Sequence, residues 1–242
     1  MNKVNVTSIL ILGIIILLTI FSIMYTFNNV NLVSLNKVKS INVMSVAMNN
    51  ENYVVQKYNE KYINSNIEIY YPVTKYNSLN TYINNFIKDV VNSFKQDVQD
   101  DRKYRLLGNF DVFKYNNYIS FSFHIMEDFM GAHPNTVIYT INYDIKNDKI
   151  INIDLLIEMN NNILNILSKY SFESLSKNQK IKKYKLEDFL KEGTKPNKEN
   201  FKNFVLTKEG IKILFERYQV APYAYGEFSV TIPYDKLNLT FN

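Results

Sequence analysis

Four stretches decide the fold: Ile67-Glu68-Ile69-Tyr70-Tyr71-Pro72, then Tyr76 to Asp97, then the paired runs Tyr104 to Tyr115 and Tyr118 to Met126. The first alternates along the chain, a strand signal, and Pro72 stops it. In the second, Leu79, Tyr82, Ile83, Phe86, Ile87, Val90, Val91 and Phe94 recur at helical spacing and make one apolar stripe. A stripe of that kind belongs to a helix covering a sheet. The last two runs are β-rich, and Asn116-Asn117 between them suits a hairpin turn.

Working outward, Asn135 to Tyr143 reads as a strand that turns at Asn147-Asp148. Ile153 to Ser176 reads as one helix, and Lys177 to Asn200 as a short helix and then a loop at Gly193 and Pro196. Phe201 to Leu206, Ile211 to Tyr218 and Glu227 to Ile232 close the chain as strands, with Lys208-Glu209-Gly210 as a turn. Helices interleaved irregularly with hairpins indicate α+β rather than a βαβ repeat. The expected architecture is mixed or antiparallel sheets covered by helices, in two small lobes, preceded by one N-terminal transmembrane helix.

That last element rests on residues 9–27, nearly all Ile, Leu, Phe and Met, inside a stretch from Val4 to Phe27 without a charge. At 1.5 Å per residue such a helix spans roughly 28 Å, the thickness of a bilayer's hydrocarbon. The run is longer than a signal peptide's apolar region, and Asn28-Asn29-Val30 offers no small-residue cleavage site. The segments are therefore read as a short cytoplasmic tail (1–8), an uncleaved anchor meeting the lipid bilayer (9–27), a stalk (28–51) and a domain outside the cytoplasm.

Composition works mainly by exclusion. With no Cys, thiolate metal sites, cysteine nucleophiles and disulfides are absent, and with two His, His124 and His133, little is left for metal or acid–base chemistry. No cofactor and no metal site is expected. Asn makes up about one residue in seven and Lys outnumbers Arg about eightfold, which reads as coding bias on a solvated surface. The stretch from Lys169 to Arg217 holds 13 basic and 7 acidic residues, suited to anionic wall polymers or phospholipid headgroups; nucleic acid is disfavoured by location.

Gly131-Ala132-His133-Pro134-Asn135, followed by Thr140-Ile141-Asn142-Tyr143-Asp144, resembles the central signature of the DUF4163/DUF3298 family of extracytoplasmic bacterial domains. Phe204 to Ile211, Tyr218 to Gly226 and Ile232 to Leu237 extend the resemblance. It covers roughly residue 52 to the end, and implies a DUF4163-like domain over 52–130 and a DUF3298-like domain over 131–242. Members include a lysozyme-sensing anti-sigma factor and the N-terminal region of a peptidoglycan deacetylase. Only eight residues precede the anchor and the chain stops at Asn242, so neither a sigma-binding region nor a deacetylase domain is expected. The resemblance implies a binding or sensor module whose partner is a lysozyme-like protein, peptidoglycan or an anionic wall polymer. A wall-modifying enzyme or an accessory of one is the alternative.

Partner binding is placed at Pro222, Tyr223, Tyr225 and Gly226, because tyrosines give stiff amphipathic contact area and Pro and Gly fix how they project. In extended backbone Tyr223 and Tyr225 share a parity and would make one patch. Gly131, His133, Pro134 and Asn135 are read as structuring a loop between strands. His124 lies opposite the apolar face of its strand. Glu127 and Asp128 are adjacent and point to opposite faces, so they cannot flank one bond as a glycosidase pair. No catalytic residue is assigned.

Overall fold

A computed structural model describes residues 53–61, 65–98, 103–239 and 241. The tail, anchor and stalk at 1–51 lie outside the described residues, among which no helix is long and apolar enough to cross a membrane.

Strands β1 (Tyr53–Lys61), β2 (Ser65–Thr74), β3 (Tyr104–Tyr115), β4 (Tyr118–Asp128), β5 (Asn135–Asp144) and β6 (Lys149–Ile151) form one sheet in chain order. Helix α1 (Asn77–Asp97) crosses over between β2 and β3, which run parallel; the other neighbours are antiparallel. The boundary anticipated at residue 130 falls in the loop between β4 and β5, which pair from Tyr118↔Asp144 to Glu127↔Asn135. The sheet is therefore continuous across it.

Pro72 does not stop β2 as expected. Pairing with β3 ends at Ile69↔Gly108, while pairing with β1 continues through Val55↔Pro72. A proline is tolerated where one flank of the strand is already unpaired. The strand then locks onto α1 through Asn80, whose Nδ2 donates to the Thr74 carbonyl (2.8 Å) and whose Oδ1 accepts the Thr74 N–H (2.8 Å).

The stripe on α1 buries Leu79, Ile83, Ile87, Val90, Val91 and Phe94 against Ile67, Ile69, Leu106, Ile119, Phe121, Phe123 and Ile125 of the sheet. Each such side chain contributes roughly 1.5–3 kcal/mol on burial, so this face alone can hold α1 in place. Tyr82, expected in the stripe, lies at its edge and is exposed.

The opposite face of β4 carries Ser120 and Ser122, yet both are buried. A second, antiparallel sheet covers them: β7 (Phe204–Leu206), β8 (Ile211–Phe215) and β9 (Phe228–Ile232). β7 is an edge strand, and the first sheet's small polar side chains satisfy its outward backbone. Ser120 Oγ accepts the Leu206 N–H (3.1 Å), Thr140 Oγ1 accepts the Phe204 N–H (3.2 Å), and Asn142 Nδ2 donates to the Phe204 carbonyl (2.9 Å).

The helix expected over 153–176 is two, α2 (Ile153–Met159) and α3 (Ile163–Leu175). Asn160 breaks it: its Oδ1 accepts the Asn162 N–H and its Nδ2 donates to the Leu237 carbonyl, both at 2.9 Å, which competes with the helical ladder. The polar stretch that follows forms three short helices, α4 (Gln179–Lys183), α5 (Glu187–Gly193) and α6 (Lys198–Phe201). Residue 201, expected to open a strand, is therefore helical. These helices and the second sheet enclose their own core of Leu156, Ile163, Leu167, Leu190, Phe201, Phe204, Ile213, Phe215, Val220 and Ile232. The whole is α+β, with mixed and antiparallel sheets covered by helices.

Candidate functional site

Two loops far apart in sequence meet at one rim of the molecule. The first, residues 129–134, leaves β4 at Asp128. That buried carboxylate pairs with Arg105 and accepts the Met130 N–H (3.0 Å), and these two contacts hold it below the usual carboxylate range. Met130 can then take its left-handed backbone (φ 57°) and the chain reverses toward β5. The second loop, residues 216–226, leaves β8. Gln219 ties it down, its Nε2 donating to the carbonyls of Gly193 (3.2 Å) and Asn200 (3.0 Å). Gly193 is required at that crossing, because a Cβ there would sit 2.0 Å from the Gln219 carbonyl oxygen.

The rings of His133 and Tyr223 stack with centroids 3.7 Å apart and planes 22° apart. The Tyr223 hydroxyl donates to the Pro134 carbonyl (2.8 Å), and His133 Nδ1 lies 3.0 Å from the same oxygen. Nδ1 must carry the hydrogen for that contact, which leaves Nε2 to accept from the Tyr218 hydroxyl at 3.3 Å. Arg217 completes the group, its guanidinium carbon 4.5 Å from the centre of the Tyr223 ring, a cation–π distance.

Tyr218 is 54% exposed and sits at φ 68°. A non-glycine residue in that region costs roughly 1–2 kcal/mol. An exposed tyrosine kept in a strained backbone is better explained by what its ring touches than by packing.

The residues singled out from sequence fare unevenly. His133, Pro134 and Tyr223 are brought together. Asn135 opens β5 opposite Glu127, and Gly131 is exposed, with open space where a Cβ would lie. Tyr223 and Tyr225 do not share a face: Pro222 leads into a 3₁₀ turn over Tyr223–Tyr225, not a strand. Tyr225 faces Tyr184, with centroids 5.1 Å apart, and packs on the second core. Gly226 ends the turn at φ 79°, where glycine is at ease. Arg217 and Tyr218 were missed as site residues. Arg217 carried a signal, since Arg is rare here and planar stacking is what Lys cannot supply.

The other ionisable residues singled out from sequence lie on β4 and have partners of their own. His124 has Asp111 at Nε2 (3.6 Å) and Glu227 at Nδ1 (3.5 Å). Those nitrogens point apart, so the two carboxylates cannot converge with the imidazole on one ion, and no metal-ligating cluster occurs among the described residues. Glu127 and Asp128 diverge as expected. Burial, then the charge of Asp97, raises the Glu127 pKa, whereas Asp128 is anchored to Arg105. A cleft of about 600 Å³ runs along the free edge of β5, lined by Tyr82, Phe86, Tyr139, Lys202 and Glu216 among others. Glu216 occupies that edge, accepting the Ile138 N–H at 2.7 Å.

Residues 154–235 match the family described as "Protein of unknown function (DUF3298)". The Gly131–Asn135 loop lies outside the matched stretch. Two crystal structures share the fold. One is a DUF3298 family protein from Pseudomonas aeruginosa PAO1 (TM-score 0.56, 15% identity, 77% of this chain and 91% of that one). The other, from Bacteroides fragilis NCTC 9343, gives a TM-score of 0.50 at 17% identity, over 77% of this chain and 92% of that one.

Among curated proteins the chain is similar to the peptidoglycan-N-acetylmuramic acid deacetylase PdaC of Bacillus subtilis (strain 168). The two are 29% identical over 174 residues, 69% of this chain but 37% of the relative, so the chain spans little more than a third of that protein.

Proposed function

We propose that this protein is an extracytoplasmic module of the bacterial envelope, held at the membrane by residues 9–27, that binds wall glycan at the rim formed by His133, Arg217, Tyr218 and Tyr223. The observation that carries this reading is Tyr218, an exposed ring at φ 68° beside a stacked His–Tyr pair. Aromatic faces of this kind suit the apolar face of a pyranose ring. The similarity to a protein named for its action on peptidoglycan N-acetylmuramic acid supports a wall polymer as the ligand.

The test is co-sedimentation of the purified full chain with purified cell wall, for the wild type and Tyr218→Gly. Glycine relieves the backbone strain, so the variant should melt at or above the wild-type temperature while losing about 1–3 kcal/mol of binding, as expected of an aromatic hot spot. No sedimentation of the wild type would end the reading. Retention on immobilised lysozyme instead would replace the glycan by a protein partner.

A further inference from the structure

We infer that Arg217 reads a carboxylate carried by the bound wall polymer, so that the rim selects a carboxylate-bearing glycan such as peptidoglycan over a neutral one. This rests on the glycan-binding reading above and narrows it to a class of ligand. Arg217 makes no ion pair or hydrogen bond among the described residues, and its Nε is buried without a partner. The acid beside it in sequence is engaged elsewhere: Glu216 accepts the Ile138 N–H at 2.7 Å and lies 3.5 Å from Asn203 Nδ2.

A half-buried guanidinium with no counter-charge is unfavourable unless something outside the chain supplies one. Its guanidinium carbon lies 4.5 Å from the centre of the Tyr223 ring, so the charge is held at the rim before any ligand arrives. The two terminal nitrogens of a guanidinium match a carboxylate's two oxygens. The neighbouring exposed face of Tyr218 favours a charge carried close to a sugar ring. A polyol-phosphate polymer offers the charge without that ring, so a carboxylate attached to a glycan is the better fit.

The experiment measures binding of the full chain to four materials. The first is peptidoglycan freed of teichoic acid, the second is the same peptidoglycan with its carboxylates amidated, the third is a neutral chitin oligosaccharide, and the fourth is peptidoglycan with its teichoic acid still attached. Amidation should weaken wild-type binding about tenfold or more, the loss expected for one charge-assisted pair. Arg217→Gln should show that loss on untreated peptidoglycan and no further loss on the amidated form; Arg217→Lys should recover part of it.

Equal wild-type binding to native and amidated peptidoglycan would overturn the carboxylate while leaving glycan binding intact. Binding that appears only when teichoic acid is present would overturn it in favour of phosphate. Binding to none of the four would remove the underlying reading as well. The amidation arm uses the wild type, so a poorly folding Arg217→Gln would not blunt the test.

Discussion

The central strand β4 of the six-stranded sheet is buried on both faces, but by different chemistry. Toward α1 the contact is apolar throughout, with Phe94, Phe121, Phe123 and Ile83 at its centre. Toward the second sheet a small apolar cluster of Ile138, Val205 and Leu214 is joined by Ser120, Thr140 and Asn142, each bonded to the backbone of edge strand β7. The first face gains from area removed from water and is insensitive to direction. The second gains less from area, through Ile138, Val205 and Leu214, and fixes register through its polar bonds, because each has one partner. The difference teaches that alternation in a strand identifies the oily face, while the other face can be equally covered.

The largest expected effect lies on the oily side. Phe121→Ala should destabilise by about 3–5 kcal/mol, the usual range for a fully buried aromatic. Denaturant titration would measure it, and a loss below 1 kcal/mol would mean that the α1 face is not the main core. Next comes Asn142→Ala on the polar side, which leaves the Phe204 carbonyl without its donor. The expected loss is about 1–3 kcal/mol, with hydrogen exchange rising first in β7. If instead all strands exchange together, the two faces form one cooperative unit and differ only in their chemistry.

The contrast also explains what was legible in the sequence. The stripe of α1, the hairpin at Asn116-Asn117 and the α+β class follow from periodicity, because apolar burial leaves a periodic trace. The burial of Ser120 and Ser122 leaves none: a small hydroxyl looks the same on a wet face as under a second sheet. Asn abundance misled in the same way. Asn152, Asn178 and Asn197 accept helix-capping N–H groups, and Asn160 breaks the helix expected over 153–176, so some of the excess is structural. At the rim, His133 and Tyr223 were each singled out, but their stacking depends on a 3₁₀ turn that Pro222-Tyr223-Ala224-Tyr225 does not announce. Reading that segment as extended misplaced Tyr225, which serves the second core.

A smaller effect concerns the loop that carries His133. Asp128 holds it through Arg105 and the Met130 N–H, and its folded pKa is depressed. That contribution is present above the ordinary carboxylate value of about 3.9 and is lost as pH falls through the lower folded value. Glycan binding should therefore persist at mildly acidic pH and fail only below about 4, where Asp128→Asn should already be impaired at neutral pH. Equal binding by wild type and Asp128→Asn at pH 7 would show that the loop does not need this anchor.

The smallest effect has the opposite sign and comes from the adjacent residue. Glu127 sits one position earlier on β4, on the other face, where burial and the charge of Asp97 raise its pKa and Asn135 supplies only a partial offset. A raised folded pKa means that the protonated form is preferred by the fold. The stabilising contribution is complete below the unfolded value of about 4.3 and is lost as pH climbs through the folded value. At pH 7 the ionised carboxylate is therefore a burden. Glu127→Gln keeps the shape and an oxygen that can face Asn135, but removes the charge. It should raise stability at pH 7 by on the order of 1 kcal/mol or less, and the advantage should vanish below about pH 4, where the wild type is itself protonated. Melting curves at the two pH values decide it. A gain that persists unchanged in acid would trace to packing rather than charge, and a loss at pH 7 would mean that Glu127 has a cationic partner in solution.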